Sequence, residues 1–135
     1  MNRSITCAFR QAVLAGFLGL AALLGPAAVQ AADDAAVADV AVPTEDPAAV
    51  ELGKTRYGEK CSGFCHGSAG KGGRAPCLVC NRFKHGASNA EIIQNITTGI
   101  TKTPMGAFGE VLTREEILAV VAYLRVEQKK REAAQ

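Results

Sequence analysis

Cys61-Ser62-Gly63-Phe64-Cys65-His66 sets two thiols directly ahead of an imidazole, inside a chain of 135 residues that holds only five cysteines and two histidines. Five thiols in so short a chain indicate a disulfide framework, a metal site or a covalently held cofactor, and the redox compartment decides among them. Residues 1–31 read as an export signal. Arg3 and Arg10 supply the positive region, Ala12 to Leu24 a short apolar run, and Val29 and Ala31 the small residues before a cut after Ala31. The apolar run is shorter than the ~20 residues of a membrane span, so no stable span is expected after cleavage. Cleavage would remove Cys7 and leave 104 residues with four cysteines in the periplasm or an equivalent oxidising space.

Composition narrows the field further. A net charge of +2 offers no general attraction to nucleic acid. Aromatic residues are 5% of the chain and Trp is absent, so something other than a dense aromatic cluster must fill the interior. Charge separates along the exported part: Ala32 to Glu51 carries six acids and no base, whereas Leu52 onward carries 13 bases and 7 acids. Residues 32–45 read as an acidic flexible linker, 46–128 as the folded domain and 129–135 as a basic C-terminal tail.

Within the domain the patterns are helical. Asp46 before Pro47 is an N-cap with proline at the first helical position, and the helix should run toward Cys61, with Gly53 and Gly58 weakening it in favour of close helix contact. Gly63 to Gly86 is too rich in Gly and Pro for a regular element. Ser88-Asn89-Ala90-Glu91 and Thr113-Arg114-Glu115-Glu116 are capping boxes, the first opening a helix that stops at Gly99, the second preceded by Leu112 as a staple onto Ile117. No strand or internal repeat is evident.

In c-type haem attachment two cysteine sulfurs add to the porphyrin vinyl groups and the following histidine binds iron, so all three must be close in sequence. Cys61, Cys65 and His66 meet that need, with three residues rather than two between the thiols; the extra residue must bulge, and Gly63 suits a bulge. A low-spin electron carrier needs a second axial ligand. Met105, in Thr103-Pro104-Met105-Gly106-Ala107-Phe108, is the only methionine left after cleavage and sits where a stiff loop would deliver its thioether. His85 is an alternative distal ligand, or an exposed loop residue. Cys77 and Cys80 read as a small structural disulfide or a redox-active pair. Lys71, Arg74, Arg82, Lys84 and Lys102 would steer docking to an acidic redox partner if they share a face. The rival reading is an exported structural zinc module in which Cys61, Cys65, Cys77 and Cys80 bind one tetrahedral metal. It leaves His66 and Met105 without roles.

From Asp46 to Gln128 the chain resembles the class I c-type cytochromes. That resemblance implies an all-α fold of three to four helices around one haem c, no enzymatic activity, and a helix crossing built from Gly53, Tyr57, Leu118, Val121, Tyr123 and Leu124. It also implies that a proline carbonyl orients the proximal imidazole, Pro76 being the nearest match. The widened motif and Cys77-Leu78-Val79-Cys80 are similar to the four-cysteine cytochromes found beside methanol and other quinone-dependent alcohol dehydrogenases. A monomeric periplasmic carrier is thereby implied, passing one electron on a His66/Met105-ligated iron from such a dehydrogenase toward an oxidase.

Overall fold

The computed structural model describes residues 39–135, and the signal reading of residues 1–31 lies outside them. Three α-helices dominate: α1 (Pro47–Tyr57), α2 (Asn89–Thr98) and α3 (Arg114–Ala133). No strand occurs among the described residues. Each helix starts where its side chains satisfy free amides. The Asp46 carboxylate accepts from the Ala48 amide at 2.9 Å, and both capping boxes form, Ser88 with Glu91 and Thr113 with Glu116. Helix α2 ends at Gly99, whose φ of 73° is the left-handed turn that glycine makes without steric penalty.

Helices α1 and α3 form the main crossing. Gly53 lies against the α3 backbone so closely that a Cβ there would fall 1.9 Å from the Ala119 carbonyl oxygen. Four residues on, the Tyr57 and Tyr123 rings meet with centroids 5.5 Å apart, and the Tyr57 hydroxyl donates to the Gly67 carbonyl at 2.9 Å. Burial pushes the Tyr57 phenol up to about 12, so it stays a donor throughout the physiological range. Val120, Val121 and Leu124 of α3 join Ile93 and Ile96 of α2, the stapled Leu112 and Ile117, and Val79 in one apolar core. Leu118 packs only at its margin. Gly58 meets nothing where a Cβ would stand, so close contact accounts for Gly53 alone.

Two boundaries differ from the sequence expectation. Helix α3 continues to Ala133, so Lys129, Lys130 and Arg131 belong to its last turns rather than to a separate tail. There their charge offsets the negative end of the helix dipole, and Lys130 pairs with Glu127 at 2.7 Å. The end of the expected linker is also ordered against the domain. Val40 and Val42 pack on the core, and the Asp39 carboxylate accepts from the Asn89 and Ala90 amides at 2.8 and 3.0 Å. Asp39 thus caps α2 from fifty residues away, a pairing that local patterns cannot reveal.

These caps set an acid dependence. Amides of Asn89 and Ala90 hold the Asp39 carboxyl below its ordinary 3.8; the Ser88 hydroxyl does the same for Glu91, and the Thr113 amide followed by Arg56 for Glu116, both below 4.5. A carboxylate whose folded value is depressed stabilises the fold fully above its unfolded value, and that contribution is lost as pH falls through the folded one. The melting temperature should therefore be flat above about pH 5 and drop below pH 4.5. Asp39→Asn should shallow the drop; a variant with the wild-type acid slope would show that Asp39 contributes nothing through its charge.

Candidate haem site

Helix α1 does not end at Tyr57 but widens into a nine-residue π-helical stretch, Gly58–His66, that carries the whole attachment motif. A π-helix bonds i to i+5 where an α-helix bonds i to i+4, so each hydrogen-bonded ring encloses one more residue. This is how the third residue between Cys61 and Cys65 is accommodated: the helix itself widens. Gly63 keeps a helical backbone and does not supply the bulge expected of it. Widened turns of this kind concentrate at functional sites.

The stretch stops at Gly67, and the loop that follows folds back on it. Gly72 donates to the His66 carbonyl at 2.8 Å, and Ala75 to the Cys65 carbonyl at 3.0 Å. The fold buries His66, and its Nδ1 lies 3.2 Å from the Pro76 carbonyl oxygen. A carbonyl only accepts, so Nδ1 carries the hydrogen and Nε2 keeps the lone pair that a metal requires. Pro76 thus stands where the sequence resemblance puts it.

The two motif thiols differ. Cys61 is half-buried against the core, and burial, then the neighbouring Cys65, pushes its thiol up to about 11. Cys65 is exposed, as is Phe64 between them, 71% accessible with the Arg74 guanidinium 4.3 Å above its ring. That stack was not legible in the sequence, because the two residues are ten apart across a loop.

Met105 lies half-buried against the same core as Cys61. Its loop is stitched to α2: Ile100 donates to the Met105 carbonyl at 3.0 Å, Thr103 Oγ1 accepts from the Met105 amide at 3.2 Å, and Phe108 donates to the Ile96 carbonyl at 2.9 Å. Ile92, Leu78 and Phe108 are further half-buried apolar groups on that core. Such a set of partly covered apolar side chains, with a buried imidazole presenting Nε2 and two unpaired thiols in one widened helix, has the chemistry a covalently attached porphyrin needs.

The remaining sulfurs settle the zinc reading. Cys77 and Cys80 are bonded to each other, their Cα atoms 5.7 Å apart, so they have no thiolates to offer a metal. Among the described residues, no three His, Cys, Asp or Glu side chains converge as metal ligands. A four-thiolate centre is thereby overturned, and Cys77 and Cys80 form a disulfide, the bond that both the structural and the redox-active reading of the pair contain. His85 lies in an exposed loop whose carbonyl accepts from Asn95 at 2.6 Å, the plainer of its two readings. Lys71, Arg74, Arg82, Lys84 and Lys102 are all exposed.

A family profile described as cytochrome c oxidase, cbb3-type, subunit III matches residues 48–124, more than half of the chain. The chain belongs to this c-type cytochrome family. As a member it is an electron carrier with covalently attached haem c rather than an enzyme. Among solved structures the cytochrome is similar to cytochrome cL from the marine methylotrophic bacterium Methylophaga aminisulfidivorans: 28% identity, TM-score 0.57, 62% of this chain and 55% of that one. Cytochrome cL from Hyphomicrobium denitrificans is similar at 27% identity and TM-score 0.56, over 62% of this chain and 49% of that one. The cytochrome thus spans about half the length of these proteins. A search among curated proteins gives no match. No helix among the cytochrome's described residues is long and apolar enough to cross a membrane.

Proposed function

We propose that the cytochrome is a periplasmic one-electron carrier whose haem is bound through Cys61 and Cys65 and ligated by His66 and Met105. The observation that carries this reading is the His66 ring, buried and fixed by Pro76 with Nε2 as its free lone pair, one residue after a thiol in a widened helix. When bound, the haem supplies an Fe(III)/Fe(II) couple. The chain's own work is to hold the axial ligands and exclude water. His66 is kept in one tautomer by the Pro76 carbonyl, and Met105 is delivered by a loop hydrogen-bonded back to α2. Fixed ligands leave little to rearrange as the oxidation state changes.

The sequence resemblance implies a quinone-dependent alcohol dehydrogenase, methanol dehydrogenase above all, as donor and a terminal oxidase as acceptor, and likeness to two cytochromes cL, one from a methylotrophic bacterium, supports the donor. The export signal read in residues 1–31 supports the periplasm. Exposed Lys71, Arg74 and Lys84 supply charge for brief, salt-sensitive encounters as a monomer with an acidic partner.

The test is a visible spectrum of the natively exported protein, oxidised and then reduced. Sharp bands of a low-spin haem that survive acid–acetone extraction are expected, with electron uptake from a quinone-dependent alcohol dehydrogenase slowing as salt rises. A colourless protein, or pigment that extraction removes, would overturn the assignment.

A further inference from the structure

We propose that Cys77 and Cys80 are positioning residues: their disulfide holds the Pro76 carbonyl on the His66 ring and so sets the potential of the carrier. The inference rests on the haem reading above and extends it to a feature that electron transfer does not itself require.

Pro76, whose carbonyl oxygen accepts from His66 Nδ1, is bonded directly to Cys77. Cys77 closes a four-residue ring through Cys80. That ring is anchored from two sides. Val79 within it is 3% exposed and belongs to the core, while the Leu78 amide donates to the Gly70 carbonyl at 2.8 Å. Cys77 also packs on Gly72, where a Cβ would stand 3.2 Å from the Cys77 nitrogen, and Gly72 in turn donates to the His66 carbonyl. The ring of His66 is therefore held by the residue bonded to Cys77, and its backbone by a glycine packed on Cys77, so both holds adjoin the loop that the disulfide closes.

A short loop with several glycines would otherwise leave the Pro76 peptide free to turn. Residues 70–80 contain three glycines and no helix or strand beyond the single 3₁₀ turn that ends at Gly70. Only one hydrogen bond fixes the imidazole, so the orientation of one carbonyl decides its strength. A hydrogen bond from Nδ1 to an acceptor makes the other nitrogen a stronger donor to the metal. A stronger donor favours the higher oxidation state, so the intact disulfide should hold the potential down and its opening should let the potential rise.

The experiment compares holo wild type with Cys77→Ser/Cys80→Ser, both matured with haem. The double variant should show a raised midpoint potential and an unchanged iron–sulfur absorption. In the ascorbate-reduced state its His66 Nδ1 proton should exchange with deuterated water roughly tenfold faster, as expected when one hydrogen bond's protection is lost. A second arm covers failure of the variant to mature. Ferrous wild type is treated with excess dithiol, which passes two electrons and two protons to the Cys77–Cys80 bond and closes to its own cyclic disulfide; proton exchange is then compared with that in ascorbate, which leaves disulfides intact. Faster exchange in dithiol supports the proposal. Unchanged potential and unchanged exchange, with only a lower melting temperature, would reduce the disulfide to a staple and overturn it. If wild type itself carries no haem, the functional reading falls instead, so the two failures are distinct.

Discussion

Gly53→Ala should lower the melting temperature of the holoprotein by roughly 10–25 °C, although alanine is the better helix former. The added methyl would lie 1.9 Å from the Ala119 carbonyl oxygen, 2.4 Å from its carbon and 3.0 Å from the Tyr123 Cβ. Two of those three atoms are backbone, so no rotamer change relieves the contact and the helices must part by more than an ångström. Helix propensity returns ~1 kcal/mol, against an overpacking cost that a backbone clash this short raises above the usual 1–3 kcal/mol to roughly 3–5 kcal/mol, for a net loss of about 2–4 kcal/mol. In a domain of this size each kcal/mol moves the melting temperature by about 4–8 °C. Separation of the helices would also part Tyr57 from Tyr123 and strain its hydrogen bond to Gly67, next to His66. Gly58→Ala is the matched control. Nothing lies within reach of its Cβ, so it should be neutral or stabilising by up to ~1 kcal/mol. A Gly53→Ala protein that melts within roughly 3 °C of wild type would show that the crossing is looser than described.

The contrast between these glycines shows where sequence reading stops. Helix starts were legible at Asp46, Ser88 and Thr113 because a cap and its partner lie within four residues, and the capping geometry followed as read. The crossing through Gly53, Tyr57, Leu118, Val121, Tyr123 and Leu124 was legible by family resemblance, with Leu118 only at its margin, although only packing could tell that Gly53 is pressed on Ala119 and Gly58 is not. Motif chemistry revealed the need for an extra residue between Cys61 and Cys65 but misplaced the remedy: backbone freedom at Gly63 was invoked where a whole π-helical stretch absorbs the insertion. Long-range pairings left no local trace. Asp39 on the α2 amides and Arg74 over Phe64 join residues whose partnership exists only once the chain has folded. The Pro76–His66 bond is an exception, legible only because family likeness supplied an order of elements that spacing alone did not.

Met105→Ala should leave the haem attached and the fold intact while removing the weak long-wavelength absorption of an iron–thioether bond and lowering the potential. Covalent attachment would pass through Cys61 and Cys65, which the substitution does not touch, so the pigment should survive denaturing electrophoresis. The potential should fall because neutral thioether sulfur favours Fe(II); its loss is expected to lower the value by on the order of a few tenths of a volt, within the ~0.8 V that axial ligands span. Stability should change less, by about 1–2 kcal/mol, since Met105 is only half-buried and its loop is held by backbone bonds from Ile100 and Phe108. Gly99→Ala provides an independent route to the same iron. A Cβ at that position, with its φ of 73°, would meet the Met105 carbonyl oxygen at 2.8 Å and the Ala107 nitrogen at 2.9 Å, pushing the loop outward while keeping the sulfur in the sequence. Weakening of the same absorption in both variants would place Met105 on the iron. If the band persists in Met105→Ala, the distal ligand is another group, and the loop serves packing alone.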